Sequence, residues 1–123
     1  MDAQQYTALG TGLALTAGGV FGYLDGTTLL LFTVNQLHNH VHLVSGTIGI
    51  LAALLFHGIH ARLYNKAFGV VYLAVGVIGI VLPRITAELL NANFYDHLLH
   101  LGIAAILLYA GYKITPEPSV ARA

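Results

Sequence analysis

Four stretches of the chain stay apolar long enough to cross a bilayer, at about residues 7–24, 41–61, 67–83 and 98–112. The hydrocarbon core calls for roughly 20 apolar residues per helix, with about 17 as a lower bound. The fourth stretch is short, so its helix must tilt or draw in flanking polar residues. A further apolar run, Gly26–Val34 (GTTLLLFTV), cannot span. It is expected to lie in the interface or to extend a neighbouring helix. The pattern predicts an all-α fold of four transmembrane helices, with the whole chain a single transmembrane domain.

The pattern also repeats. An offset of 57 residues matches Gly12 with Gly69, Ala17 with Ala74, Gly19 with Gly76, Val20 with Val77 and Gly22 with Gly79. An offset of 58 matches Asn35 with Asn93, His42 with His100 and Leu43 with Leu101, and sets His38 against Asp96 and Asn39 against His97. Two tandem two-helix repeats are expected, at about 7–61 and 67–112. They would share one orientation and be related by a pseudo-twofold axis along the membrane normal.

Composition sharpens the membrane reading. The chain is 57% hydrophobic and 8% charged, against about 25% charged in ordinary soluble domains. Ten charged residues cannot coat so short a chain in water, so lipid must cover much of it. A formal net charge of zero excludes nucleic acid as a partner class, and the lack of cysteine excludes disulfides, thiolate metal sites and thiol catalysis. The start Met1-Asp2-Ala3-Gln4-Gln5 lacks a basic signal-peptide region, so the first span is expected to be retained. With four spans, Arg62, Lys66, Lys113 and Arg122 fall on the side of both termini. The other side holds Arg84 beside Asp25, Glu88 and Asp96. The positive-inside rule then makes both termini cytoplasmic, with 62–66 a cytoplasmic loop and 113–123 a short cytoplasmic tail containing Pro116 and Pro118.

Three segments carry a resemblance: Phe32–Leu43 (FTVNQLHNHVHL), Ala61–Leu73 (ARLYNKAFGVVYL) and Asp96–Leu101 (DHLLHL). Their N-x-x-H-N-x-x-H-L and D-x-x-x-H-L patterns resemble a family of small four-helix membrane proteins of bacteria and archaea, catalogued as a domain of unknown function. The similarity covers about residues 8–112. It implies a four-helix fold in the plasma (inner) membrane of a prokaryote, and no reaction. His40, His57, His60 and His97 lie outside that pattern.

Seven histidines in so apolar a chain need an account, because ionisable groups inside a membrane face the bundle interior or water. His38 and His42 are spaced i, i+4, and His97 and His100 i, i+3, so each pair shares a helix face. Ser45, Gly46 and Gly49 continue the first of these faces. Two readings stand. In one, Asn35, Asn39, Asn93 and Asp96 pair with the imidazoles as a structural polar cluster. In the other, His38, His42, His97 and His100 hold a divalent metal, or His42 and His100 ligate a haem. Neither H-E-x-x-H nor C-x-x-C-H occurs. His57 and His60 form a further pair expected at the cytoplasmic interface.

Gly12/Gly19 and Gly69/Gly76 each mark one helix face, and Gly18-x-x-x-Gly22 is a small-xxx-small motif suited to close packing. Tyr64, Tyr72, Tyr109 and Tyr112 read as interface anchors or packing residues. Ser45 beside His42 makes no triad, and the Glu88/Asp96 pair is a weak acid/base candidate, so the chain is expected not to be an enzyme. The leading role is a structural or accessory subunit that packs against a membrane-protein partner or a second copy. A haem or metal protein, and a small oligomeric transporter or channel, are the alternatives.

Overall fold

A computed structural model describes residues 1–115. Its elements are α1 (Ala3–Asp25), β1 (Thr28–Leu29), β2 (Phe32–Thr33), α2 (Gln36–Leu54), a 3-10 turn (Leu55–Gly58), α3 (Ala61–Val81), α4 (Pro83–Leu90) and α5 (Phe94–Lys113). Of the described residues, 83% are helical. Four helices are long and apolar enough to cross a membrane: α1, α2 with its 3-10 turn, α3 and α5. The molecule is an integral membrane protein by these criteria. The expected tail falls, from residue 116 onward, outside the described residues.

Each of the four long helices begins earlier than its apolar stretch, and in α1, α2 and α5 the polar first turn is stabilised locally by a side-chain cap. Asp2 and Gln5 form a capping box on α1. Asn35 accepts from the His38 amide at 2.8 Å to start α2, and Asn93 with Asp96 forms a second capping box on α5. Such caps satisfy amides that otherwise lack partners. The segment expected as a 62–66 loop is helical instead. Arg62 and Lys66 lie in the first turns of α3, and the chain reverses just before it. There Phe56, His57 and Gly58 take φ of 51°, 57° and 75°, a left-handed stretch that ends α2 inside the span expected to run to 61.

Gly26–Val34 does not extend a neighbouring helix. It forms an antiparallel hairpin with Leu29 opposite Phe32, and Leu30 turns it with φ of 55°. The short α4 was not anticipated. Pro83 in its first turn and the left-handed Asn91 at its end are start and stop signals that an apolar count passes over.

α1 packs chiefly along α2, and α3 along α5, while contacts between these two pairs are sparse. Within each pair glycine sets the distance. A Cβ on Gly12 would stand 2.8 Å from Gly46 O and Ile50 N, and one on Gly19 would stand 2.9 Å from Asn39 O and Leu43 N. In the other pair, Gly69 meets Leu108 and Gly76 meets Leu101 at 2.8 and 2.7 Å.

The interior is more polar than the outside. Leu24, Leu31, Leu63 and Val81 are all at least 65% exposed, whereas Gln4, His38, Asn39, Asn65, Asp96 and His100 are essentially inaccessible. This inversion suits a lipid solvent.

Polar side chains close the bundle at both ends. At the N-terminal end, Gln4 Nε2 donates to Ala110 O and Ile114 O, and Arg62 Nε to Gly111 O, so both serve the last carbonyls of α5. Gln5 Nε2 does the same for Ala53 O near the end of α2, at 3.0 Å. Replacing Gln5 with the similarly sized Met leaves that carbonyl and the Asp2 amide without these partners. Gln5→Met is therefore expected to lower the unfolding free energy by about 1–3 kcal/mol. Unchanged denaturation in detergent would show that these bonds contribute nothing. At the other end, Asn35 Nδ2 reaches Leu89 O, Asn91 Nδ2 reaches Val34 O and Asn93 Nδ2 reaches Leu31 O, each at 2.9 Å.

Candidate metal centre

His38, His42 and His100 converge just inside the hairpin end of the bundle. The first two come from α2 and the third from α5. Their ring centroids are 4.4 Å (His38–His42), 5.5 Å (His38–His100) and 5.9 Å (His42–His100) apart. Each ring offers a nitrogen, and these three atoms lie within 4.8 Å of one another. All three residues are buried.

One tautomer follows from a single bond. His38 Nδ1 lies 3.0 Å from Leu90 O. A carbonyl only accepts, so Nδ1 carries the proton and Nε2 presents its lone pair. That Nε2 has no hydrogen-bond partner among the described residues, nor has either nitrogen of His42 or Nδ1 of His100. Buried polar atoms are normally paired, so this concentration needs an occupant or a role.

The asparagines do not supply it. Asn35 and Asn93 use their side chains for helix caps and for backbone carbonyls across the loops. Asn39 Oδ1 is itself unpaired, close against Gly22. Asp96 Oδ2 accepts from the amides of Asn93 and Thr33, and its Oδ1 has no hydrogen-bond partner among the described residues. Asn35, Asn93 and Asp96 give their side-chain bonds to backbone groups at the helix starts and across the loops, and not to imidazole.

The remaining histidines stand apart. His97 is buried against Gly79 of α3, outside the group of three. His40 is exposed, with its Nδ1 beside Tyr23 OH and Gln36 O. His57 and His60 are exposed near the left-handed turn, where His60 meets the Phe56 ring. Tyr72 forms one wall of the cluster. Its ring lies 5.6 Å from that of His100, its hydroxyl bonds Ser45 Oγ at 2.7 Å, and Tyr64 OH donates to Ser45 O at 3.0 Å. Ser45 is thus engaged with tyrosine, which argues against a nucleophile there. Glu88 forms a surface ion pair with Arg84, away from Asp96.

A family model described as Domain of unknown function (DUF4383) matches residues 5–113. The chain belongs to that family. No curated protein and no solved structure matches it. The region shared with DUF4383 takes in the four long helices almost whole and every residue of the histidine cluster. That description carries no activity, so the chemistry must be argued from the side chains.

Two contributors had no usable sequence signal. Leu90 acts through its backbone carbonyl, which any residue supplies. Tyr72 lies on α3 and reaches the cluster only because the two helix pairs meet there.

Proposed function

We propose that this chain is a membrane-embedded metal-binding protein in which His38, His42 and His100 hold one divalent transition-metal ion. The observation that carries this reading is the convergence of three buried imidazoles with unclaimed nitrogens within 4.8 Å of one another. Donors around tetrahedral zinc stand roughly 3.3 Å apart, given Zn–N bonds of about 2.0–2.1 Å. The nitrogens, within 4.8 Å of one another, would draw closer around a bound ion. Imidazole favours Zn, Cu, Fe and Ni over Mg and Ca. The His38 bond to Leu90 O is the kind of outer contact that orients a ligating histidine. Three protein ligands leave a position open for water or another molecule.

A bare ion suits the cluster better than haem. The His38 ring is 4.4 Å from His42 and 5.5 Å from His100, crowding the space a porphyrin would take between those two as axial ligands. A packing-subunit role receives less support, because Gly12, Gly19, Gly69 and Gly76 are taken up within the chain and offer no free face to a partner or second copy.

We also infer a duplicated architecture. Gly12 on Ile50 parallels Gly69 on Leu108, Gly19 on Leu43 parallels Gly76 on Leu101, and Gly22 on Asn39 parallels Gly79 on His97, all at offsets of 57 or 58. On this reading His42 and His100 are equivalent across a pseudo-twofold axis, and Asp96 occupies the place of His38. The positive-inside rule, applied to Arg62, Lys66 and Lys113, supports cytoplasmic termini and a site near the outer face of a prokaryotic plasma membrane.

Protein purified in mild detergent, without metal-affinity chromatography, is expected to carry about one Zn, Cu, Fe or Ni per chain, or to take up about one Zn(II) on titration. Elemental analysis checks this. Neither bound metal nor saturable uptake would sink the proposal.

A further inference from the structure

Beside the histidine cluster lies a cavity of about 300 Å³ between α1, the hairpin and α5. Its wall is almost wholly apolar. Ala14, Gly18 and Phe21 come from α1, Leu29 and Phe32 from the hairpin, and Ile103 from α5. Ala14 and Gly18 keep the α1 side hollow. Phe21 and Leu30, both exposed, belong to its lining, so the cavity opens toward the outer surface of the bundle.

Only two ionisable side chains reach this wall, His42 and Asp96, and each brings an unpaired buried atom. Nδ1 is the His42 atom nearest a Cβ built on Gly18, at 3.8 Å, so it faces the α1 side of the cavity. If Nε2 serves the metal, Nδ1 carries the proton and is a donor without an acceptor. Asp96 Oδ1 is an acceptor without a donor. A hydroxyl group satisfies both at once, since it donates one bond and accepts others.

We propose that this cavity binds an apolar membrane molecule by its hydroxyl group, an alcohol or phenol whose head lies between His42 and Asp96 beside the metal. At about 30 Å³ per water-sized group the space takes roughly ten non-hydrogen atoms, and a longer tail continues past Phe21 and Leu30 into lipid. The cavity sits at the lower end of ordinary ligand-site volumes, about 300–1,000 Å³. This inference rests on the metal reading above for the protonation of His42.

The test uses the full chain in lipid nanodiscs and a diazirine-bearing decanol as photoprobe, with labelled peptides read by mass spectrometry. Saturable labelling of residues around 29–34 and 99–103 is expected. Decanol should compete at least about ten-fold better than decane, the margin of one net hydrogen bond of about 1.4 kcal/mol. Gly18→Leu and Ala14→Leu should each fill the cavity and abolish labelling, while zinc content stays at the wild-type level. Two variants guard against one failing to fold, and retained zinc reports that the cluster is intact. Equal competition by decane, or undiminished labelling in a variant that keeps its zinc, would overturn the proposal. Alcohol-selective labelling of a protein that binds no metal would retain the cavity site and remove the metal reading. Bound metal without saturable labelling would do the reverse.

Discussion

His42→Phe is expected to abolish stoichiometric Zn(II) uptake and, in metal-free protein, to leave stability unchanged or raise it. The two halves of this result have one cause. His42 brings both ring nitrogens to the cluster without a hydrogen-bond partner among the described residues. With an ion bound, one nitrogen becomes a ligand, and its loss should weaken binding by more than the roughly 10–100-fold typical of outer-sphere changes. Without the ion, the same nitrogens are buried polar atoms, each costing about 1–3 kcal/mol. Phenylalanine keeps a ring there and removes that cost. His40→Phe and His57→Phe, at exposed positions, are the matched controls and should bind zinc as the wild type does. Calorimetric titration and denaturation in the presence of a chelator check both halves. A metal-free His42→Phe protein that is clearly less stable than wild type would mean that the imidazole has a structural partner after all.

Gly12→Leu is expected to give one of the largest losses of stability among single substitutions at the glycines, alongside Gly46 on the facing helix. A Cβ at Gly12 meets Gly46 O, Ile50 N and the Gly49 carbonyl carbon, all backbone, at 2.8, 2.8 and 3.1 Å. A flexible side chain could move aside, but backbone on the facing helix can yield only if α1 and α2 separate along their main contact. Overpacking usually costs about 1–3 kcal/mol, and this position should reach or exceed the upper figure. Gly10→Ala is the contrast. Nothing lies within 4 Å of its added Cβ, so its effect should stay within about 1 kcal/mol of wild type. Denaturation of both variants in the same detergent separates a specific backbone approach from a general intolerance of larger residues.

The four crossings were legible because lipid demands long apolar runs, and that demand is local in sequence. Helix ends were less so. Gln4, Gln5, Asn35 and Asp96 count against a hydropathy window, yet they lie in caps or bonds that let the helices begin earlier. At the Phe56–Gly58 reversal only Gly58 advertised a left-handed backbone, because Phe56 and His57 take such angles without being glycine or asparagine. For the site, i, i+4 spacing placed His38 and His42 on one face, and the offset of 58 pointed to His100 as their counterpart. It could not separate His97 from the set. That depends on how α5 is rotated against α3, where Gly79 makes room for the His97 ring. The cavity was also beyond reach, since its outer wall is a hairpin that read as a stray apolar run.

The uneven packing of the four long helices bears on how the protein is made. α1 and α2 hold each other closely, as do α3 and α5, while helix contacts between the two pairs are sparse and polar side chains make most of the bonds across them. During synthesis the first pair can settle in the bilayer as a finished hairpin while the second is still on the ribosome, since chains build from the N-terminus. His38 and His42 then wait on one hairpin for His100 on the other. On the proposed function, an ion shared by all three would be captured only after the second hairpin docks, and would then tie the two pairs together at one point.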